Sequence, residues 1–485
     1  MNNNKSNLKI NFILNTGYQV FCMIFPLLIT PYVCRILGAE LIGSYSYTAA
    51  NVGYFALFAA MGTIIYGNRE ISFLQSKPQE YSRTFWEIEL LSIFSTMVCL
   101  VVFIVFVLLN RHYQALYFIQ LFTLLSVAGN INWFFQGLEN FKTILLRNTF
   151  FKIVSLLFIF AFVKSKSDLL LYVGGLVVIE FIGNISLWLT LPKYLTRVDI
   201  RSLRPFRHLK PTLLLFIPTI TSSIYTMLDK TMLGIFTSSK IENGYYEESY
   251  KLAKYALAIV LSVETVMLPR ISALFGQGKM DELKNLLYKS YRFVCFLAMP
   301  ICFGLISVAS LFVPIYYGPG YDKVEQLLYI HALLIPIIGL SNVTGIQYLI
   351  TTKQDRKLIT TVTTGAAVNV IMNLILIPQL HSIGASIASV AAELVIAVFQ
   401  FILVRGDISF VRVAGECYKY LLSALVMCGS VWTAKTGISG LGLPDILQLA
   451  LLVIVGGIVY LLMLLLLRDS FFIDNAKLII RKIKR

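Results

Sequence analysis

The stretch RILGAELIGSYSY, Arg35 to Tyr47, separates two long apolar runs, and a fainter copy of its pattern, ENGYYEESY, returns at Glu242 to Tyr250. Aligning Gly43 with Gly244 puts Tyr45 on Tyr246 and Arg69 on Arg270. Each glycine then opens an apolar helix, and each arginine closes it after the same 26 residues. A second correspondence sets Lys142 against Arg356 and brings Glu180 close to the register of Glu393. The chain reads as two related halves.

Outward from that stretch, apolar runs fill the sequence. It is 57% hydrophobic and 14% charged over 485 residues, whereas soluble domains are about one quarter charged. A helical crossing of the hydrocarbon core needs about 20 apolar residues. The runs are continuous rather than alternating, so helices are expected and a barrel is not. The predicted fold is all-α and polytopic, with about fourteen spans. They lie near 10–34, 43–67, 85–109, 114–135, 144–163, 169–191, 213–236, 245–268, 293–315, 326–350, 358–378, 383–404, 417–435 and 446–467. The fourth is interrupted by Asn130 and Asn132.

Six spans separate the copies, so both run in the same direction. This predicts an N-terminal lobe over residues 1–205, a second lobe over 206–409, and a C-terminal piece over 410–485 with two further spans and a basic tail. Parallel repeats of this kind place a substrate path between lobes that rock against each other.

The net charge of +16 does not point to nucleic acid. With both termini placed in the cytoplasm, the inner segments hold about 31 of the 41 Lys and Arg, the positive-inside pattern. The basic tail Arg481–Arg485 is expected on anionic lipid heads. The N-terminal MNNNKSNLKI has no cleavage site of the signal-peptide kind after it. The seven cysteines and four histidines are scattered, so neither a disulfide framework nor a metal site is expected. No loop is long enough to be a catalytic domain. Gly276-Gln-Gly278 followed by KMDELKNLLYKSYRF, Lys279 to Phe293, reads as an interfacial helix feeding the ninth span.

ITPYVCRILGAELIGSYSYTAANVGYFALFAAMGTIIYGNREIS, Ile29 to Ser72, resembles the first helical pair of the bacterial polysaccharide (O-antigen or capsule repeat-unit) flippases. These belong to the multidrug/oligosaccharidyl-lipid/polysaccharide exporter superfamily. Their Leu-Gly-x-x-x-x-Gly-x-Tyr pattern is met by Leu37, Gly38, Gly43 and Tyr45. SSIYTMLDKTMLGIF, Ser222 to Phe236, resembles the family's seventh helix, and Leu333 to Val390 its tenth to twelfth. The resemblance implies a two-lobed transporter that carries undecaprenyl-diphosphate-linked oligosaccharide from the cytoplasmic to the outer leaflet of the bacterial inner membrane by alternating access. It implies no catalytic residue and no cofactor beyond an H+ or Na+ coupling ion. A polysaccharide polymerase and a chain-length regulator are candidate partners.

Such a substrate asks for a hydrated cavity with cations for its diphosphate. Intramembrane charges cost about 2.5–3.5 kcal/mol each on insertion scales and therefore face cavities or partners. The candidate substrate contacts are Arg35, Arg69, Arg147, Lys152, Lys251, Lys254 and Arg270, with Lys254 the deepest. Each also has a plainer role, as a topology anchor at a helix end or a snorkelling side chain. The acids Asp229, Glu180, Glu264 and Glu393 are candidate ion-coupling sites, or structural partners for buried lysines. Two alternatives remain on the residues alone. One is a small-molecule exporter of the multidrug type on the same fold, against which the cation excess argues. The other is a membrane polysaccharide polymerase or ligase, against which the short outer loops argue.

Overall fold

The computed structural model describes the backbone of residues 2–440 and 442–483; the side chains of 2–20, 23, 217–219, 221–225, 265, 476 and 478–483 lie outside the description. The described residues form helices and no strand. The expected basic tail and polar N-terminus fall on side chains outside it.

The chain divides into two compact units, Met1–Gly234 with Ser239–Gly244, and Ile235–Ser238 with Tyr245–Arg485. The first contains α1 (Asn2–Ala60), α2 (Thr63–Leu74), α3 (Pro78–Leu109), α4 (Gln114–Gly129), α5 (Asn132–Gly137), α6 (Phe141–Phe162), α7 (Leu169–Ser186) and most of α8 (Leu209–Phe236). Packing therefore groups α8 with the first seven helices, whereas the repeat pattern assigns it to the second half of the chain.

Helix α1 would be about 88 Å long if straight, far more than a bilayer core. Gly38 divides it, with φ 79° and ψ 166°, a conformation that a Cβ disfavours. A second break follows at Met61 and Gly62, both at positive φ. The fourth expected span is broken where its amides predicted weakness: α4 stops at Gly129 and α5 restarts at Asn132. The indole of Trp188 donates to the Gly129 carbonyl at 3.0 Å, which takes up one acceptor that the break releases.

The second unit holds most of α9 (Ile241–Leu261), then α10 (Glu264–Gly276), α11 (Met280–Tyr317), α12 (Asp322–His331), α13 (Leu334–Asn342), a π-helix over Val343–Ile350, α14 (Asp355–Leu380), α15 (Ser382–Val404), α16 (Phe410–Ser439), α17 (Asp445–Leu466) and α18 (Ser470–Ile483). Gly278, at φ +72°, turns the chain into α11. That helix runs from the expected interfacial segment into the span without interruption.

Eleven helical segments among the described residues are long and apolar enough to cross a membrane, or twelve if α9 and α10, bent by 47°, make one span. The expected fourteen is not reached by this measure. One reason is that Ile24–Leu74, 51 residues long, is a single segment despite its breaks. Another is that α8 includes side chains outside the description.

Large apolar side chains are exposed along these helices, among them Val101, Val105 and Leu109 on α3 and Ile371, Leu374 and Ile375 on α14. In α17 the buried residues Leu452, Gly456, Tyr460 and Leu464 recur every fourth position and face the protein. Ile454, Leu462 and Leu465 are about half exposed. Leucine on both faces means that the hydrophobic effect does not choose the packed face. The small Gly456 and the Tyr460 hydroxyl, which donates to the Phe296 carbonyl at 2.9 Å, do so instead.

Candidate functional site

Within the first unit, α1, α4, α6 and α7 enclose a cavity of about 500 Å³, within the range of small-ligand sites. Its wall combines amides (Gln120, Asn130, Asn132, Asn148, Asn184) with the aromatic rings of Phe25, Tyr45 and Phe151. Three lining residues carry charge: Arg147 and Lys152 on α6, and Glu180 on α7.

The sequence order of α6 explains the first two. Residues five apart on a helix lie about 140° apart around its axis. Arg147 and Lys152 therefore reach the same cavity at different heights and from different sides of α6. Arg147 is clamped through both terminal nitrogens. Its Nη2 donates to Asn132 Oδ1 at 2.5 Å, and its Nη1 donates to Asn184 Oδ1 at 3.1 Å. The amides are themselves oriented. Asn132 donates through its backbone N and its Nδ2 to Asn130 Oδ1 at 3.1 and 2.7 Å. Asn184 donates to the Ser126 carbonyl at 3.4 Å. The α4–α5 break is thus what places Asn130 and Asn132 beneath the guanidinium. Two accepting carbonyls set the plane of the fork, and the fork is the geometry that suits phosphate. Lys152 donates to Cys22 Sγ at 3.1 Å and lies 5.6 Å from the Phe25 ring centre. Glu180 lines the same cavity from α7.

The other sequence candidates lie elsewhere. Arg35 is exposed on α1, beside the Gly38 break. Arg69 is exposed on α2, pairs with Glu70 at 3.2 Å and lies 5.4 Å over the Tyr66 ring. Asp229 is buried in α8, outside the cavity lining. In the second unit, Lys251 is held by two acids of its own helix, Glu248 at 3.0 Å and Glu247 at 3.3 Å. Lys254, expected deep, has an exposed side chain whose Nζ lies 5.3 Å over the Tyr250 ring. Glu264 is half-buried at the start of α10. Glu393 is buried in α15, and Arg270 is exposed on α10. Of the eleven candidates, only Arg147, Lys152 and Glu180 share the cavity.

Sequence reasoning passed over a second charged cluster. Glu87 of α3 is fully buried and accepts from Arg83 Nε at 3.1 Å, Arg207 Nη2 at 2.5 Å, His208 Nε2 at 2.9 Å and the Arg204 backbone N at 2.9 Å. Tyr66 OH meets His208 Nδ1 at 2.7 Å. A neutral ring carrying its proton on Nε2 donates to Glu87 and accepts from Tyr66, while Arg207 Nε, 3.1 Å from that same nitrogen, then finds no acceptor there. Burial pushes His208 below the ordinary imidazole range, against the opposing pull of Glu87. This cluster fastens the basic segment before α8 onto α3. The available signal was an acid at a span edge opposite a basic loop.

The profile of the family described as "Polysaccharide biosynthesis protein" matches residues 8–275, more than half of the chain. The chain belongs to that family. It is 25% identical over 425 residues to an Escherichia coli (strain K12) protein named "Putative O-antigen transporter", covering 84% of this chain and 99% of the relative. A Shigella dysenteriae protein of the same name is 24% identical over 405 residues, covering 83% and 100%. Among solved structures, the lipid II flippase MurJ in an inward closed conformation matches at TM-score 0.75 and 17% identity, over 95% of this chain and 100% of that one. An inward-facing multidrug resistance MATE family transporter of the MOP superfamily matches at TM-score 0.58 and 13% identity, over 81% and 98%. This family member is thus a multi-pass membrane protein with the fold of those transporters rather than of an enzyme.

Proposed function

We propose that this protein is a flippase that carries undecaprenyl-diphosphate-linked oligosaccharide from the cytoplasmic to the outer leaflet of the bacterial inner membrane. The observation that carries the reading is the cavity of the first unit. A wall of five amides flanks a clamped arginine and a lysine inside an apolar helical scaffold. Amides donate and accept, which suits sugar hydroxyls, aromatic rings offer an apolar body with a specific geometry, and the cations suit a diphosphate. The polyprenyl tail needs no protein cavity, because lipid already solvates it. Family membership and the names of the relatives support the same substrate class.

In this reading both termini lie in the cytoplasm, the protein alternates between inward- and outward-open states, and an H+ or Na+ gradient drives it. A polymerase and a chain-length regulator use the product on the outer side. The test is complementation of a flippase-null strain. Wild type should restore surface polymer, and Arg147→Ala at normal membrane level should fail and leave lipid-linked units on the cytoplasmic leaflet. Failure of the wild-type protein to restore polymer in strains making several different repeat units would overturn the reading in favour of small-molecule export.

A further inference from the structure

Glu87 and Phe94 are seven residues apart on α3, so they share one face to within about 20° and differ in height by about 10 Å. The connector between α7 and α8 meets that face in two ways. At the height of Glu87 it is bonded to the carboxylate, through the Arg204 backbone N at 2.9 Å and Arg207 Nη2 at 2.5 Å. One turn nearer the start of α3, Arg83 Nη2 donates to the Ser202 carbonyl at 2.6 Å. At Phe94 the connector lays the ring of Phe206 edge-on, with centroids 5.4 Å apart. Both rings are more than half exposed, and Met97, Val98 and Val101 continue the exposed apolar strip along α3.

Exposed rings at one height and fixed cations at the next are the profile of a membrane boundary. The head-group layer beside the hydrocarbon core is about 5–7 Å thick, and the interval from Phe94 to Arg83 spans it. Arg201 adjoins the pinned Ser202, and Lys210 follows His208, whose Nε2 lies 2.9 Å from Glu87. With Arg204 and Arg207 they make four exposed cations at this level. The nearby acids are engaged. Glu87 is buried beneath Arg83 and Arg207, Glu70 pairs with Arg69, Glu80 pairs with Lys77, and Asp199 accepts from the Arg201 backbone N at 3.0 Å. Among the described residues no acid pairs with the side chain of Arg201, Arg204 or Lys210. We infer that this face is a docking site for one anionic phospholipid, its phosphate held by Arg204, Arg207 and Lys210 and an acyl chain lying along Phe206 and Phe94. Basic clusters beside a span favour head groups of net negative charge, and a choline would meet no free carboxylate here. The apolar strip favours a ligand that carries a chain over a free phosphate. The inference stands apart from the flippase reading, because it concerns the lipid around the protein and not the cargo of the cavity.

The full-length protein in neutral detergent is titrated with dioleoylphosphatidylglycerol, and the first lipid retained is measured by native mass spectrometry. Dioleoylphosphatidylcholine and geranyl diphosphate are the comparison probes. Wild type should retain phosphatidylglycerol about ten-fold more strongly than phosphatidylcholine. Arg204→Gln combined with Lys210→Gln should weaken phosphatidylglycerol retention about ten-fold or more and leave phosphatidylcholine retention unchanged. Neither side chain makes an ion pair, so the fold should persist. Phe206→Ala should weaken both lipids alike. Lys289→Gln combined with Arg356→Gln removes two exposed cations of the second unit and should leave retention at the wild-type level. The inference is overturned if the Arg204 and Lys210 variant retains phosphatidylglycerol as wild type does, if the second-unit variant loses as much, or if phosphatidylcholine is retained equally well. It is also overturned if geranyl diphosphate displaces phosphatidylglycerol at equal concentration, which would make this face a contact for a diphosphate cargo. Complementation tests the flippase reading separately from each of these outcomes.

Discussion

Gly43 and Gly244, the pair that the sequence aligns as equivalent, meet backbone to backbone. A Cβ on Gly43 would lie 1.7 Å from the Lys240 carbonyl oxygen and 2.7 Å from the Gly244 nitrogen; one on Gly244 would lie 1.9 Å from the Ala39 carbonyl oxygen. The chain uses the same residue twice because both sides of one close approach need it. Backbone cannot move aside as a flexible side chain can, so Gly43→Ala and Gly244→Ala should each destabilise this contact by at least the ~1–3 kcal/mol typical of overpacking. A lowered thermal midpoint for each purified variant is the expected result. A double variant should recover nothing, since each added methyl meets a different carbonyl. An unchanged midpoint in either single variant would mean that the approach is looser than described.

At the cavity, Arg147→Lys keeps the charge and loses the fork held by Asn132 and Asn184. Transport should fall about ten-fold or more, equivalent to ~1.4 kcal/mol, with membrane protein level unchanged. Asn132→Ala should produce a smaller loss of the same kind by freeing one side of the guanidinium. Polymer production scored beside protein level separates these effects from misfolding; equal activity in all three proteins would remove the clamp from the mechanism.

The Glu87 cluster is expected to govern stability. Glu87→Gln leaves Arg83, Arg207 and His208 around a neutral group at a fully buried position. Arg83 and Arg207 stay 39% and 47% exposed, so the cost falls short of the about 3–5 kcal/mol of breaking a fully buried pair, and the variant should melt early.

His208 adds a pH dependence. Its folded pKa is depressed, so the unfolded chain binds the proton more readily. Its contribution is fully present above the ordinary imidazole value of about 6.5 and is lost as pH falls below that value. Melting curves between pH 8 and 5 should show this decline, and His208→Gln should flatten it. A variant that retains the full decline would assign it to other groups.

For the second unit, Lys254 and Lys251 should behave differently. Lys254→Ala removes an exposed side chain that lies over Tyr250 and outside the cavity, so the protein should insert and accumulate normally. Lys251→Ala removes the partner of Glu247 and Glu248 and should lower protein level first. Full complementation by Lys254→Ala would exclude it as a substrate contact.

Membrane residence, the all-helical class and most helix positions were legible in the sequence, because lipid imposes a requirement that is read locally, at about 20 apolar residues per crossing. The weakness of the fourth span was legible for the same reason, as Asn130 and Asn132 interrupt an apolar run. The costly charges Arg147, Lys152 and Glu180 could each be picked out as intramembrane ions. Only tertiary structure decided that these three share one cavity, while Lys251 is paired along its own helix and Lys254 lies exposed. The same holds for Glu87, whose partners Arg204, Arg207 and His208 are more than 110 residues away. A charge in an apolar run declares that it needs a partner, but the partner's identity depends on which helix faces pack. In lipid, where the surface is as apolar as the core, hydrophobic patterning does not specify those faces. They are chosen by close approaches such as Gly43 to Gly244, by helix breaks such as Asn130 to Asn132, and by individual hydrogen bonds, all of which are relations between distant residues.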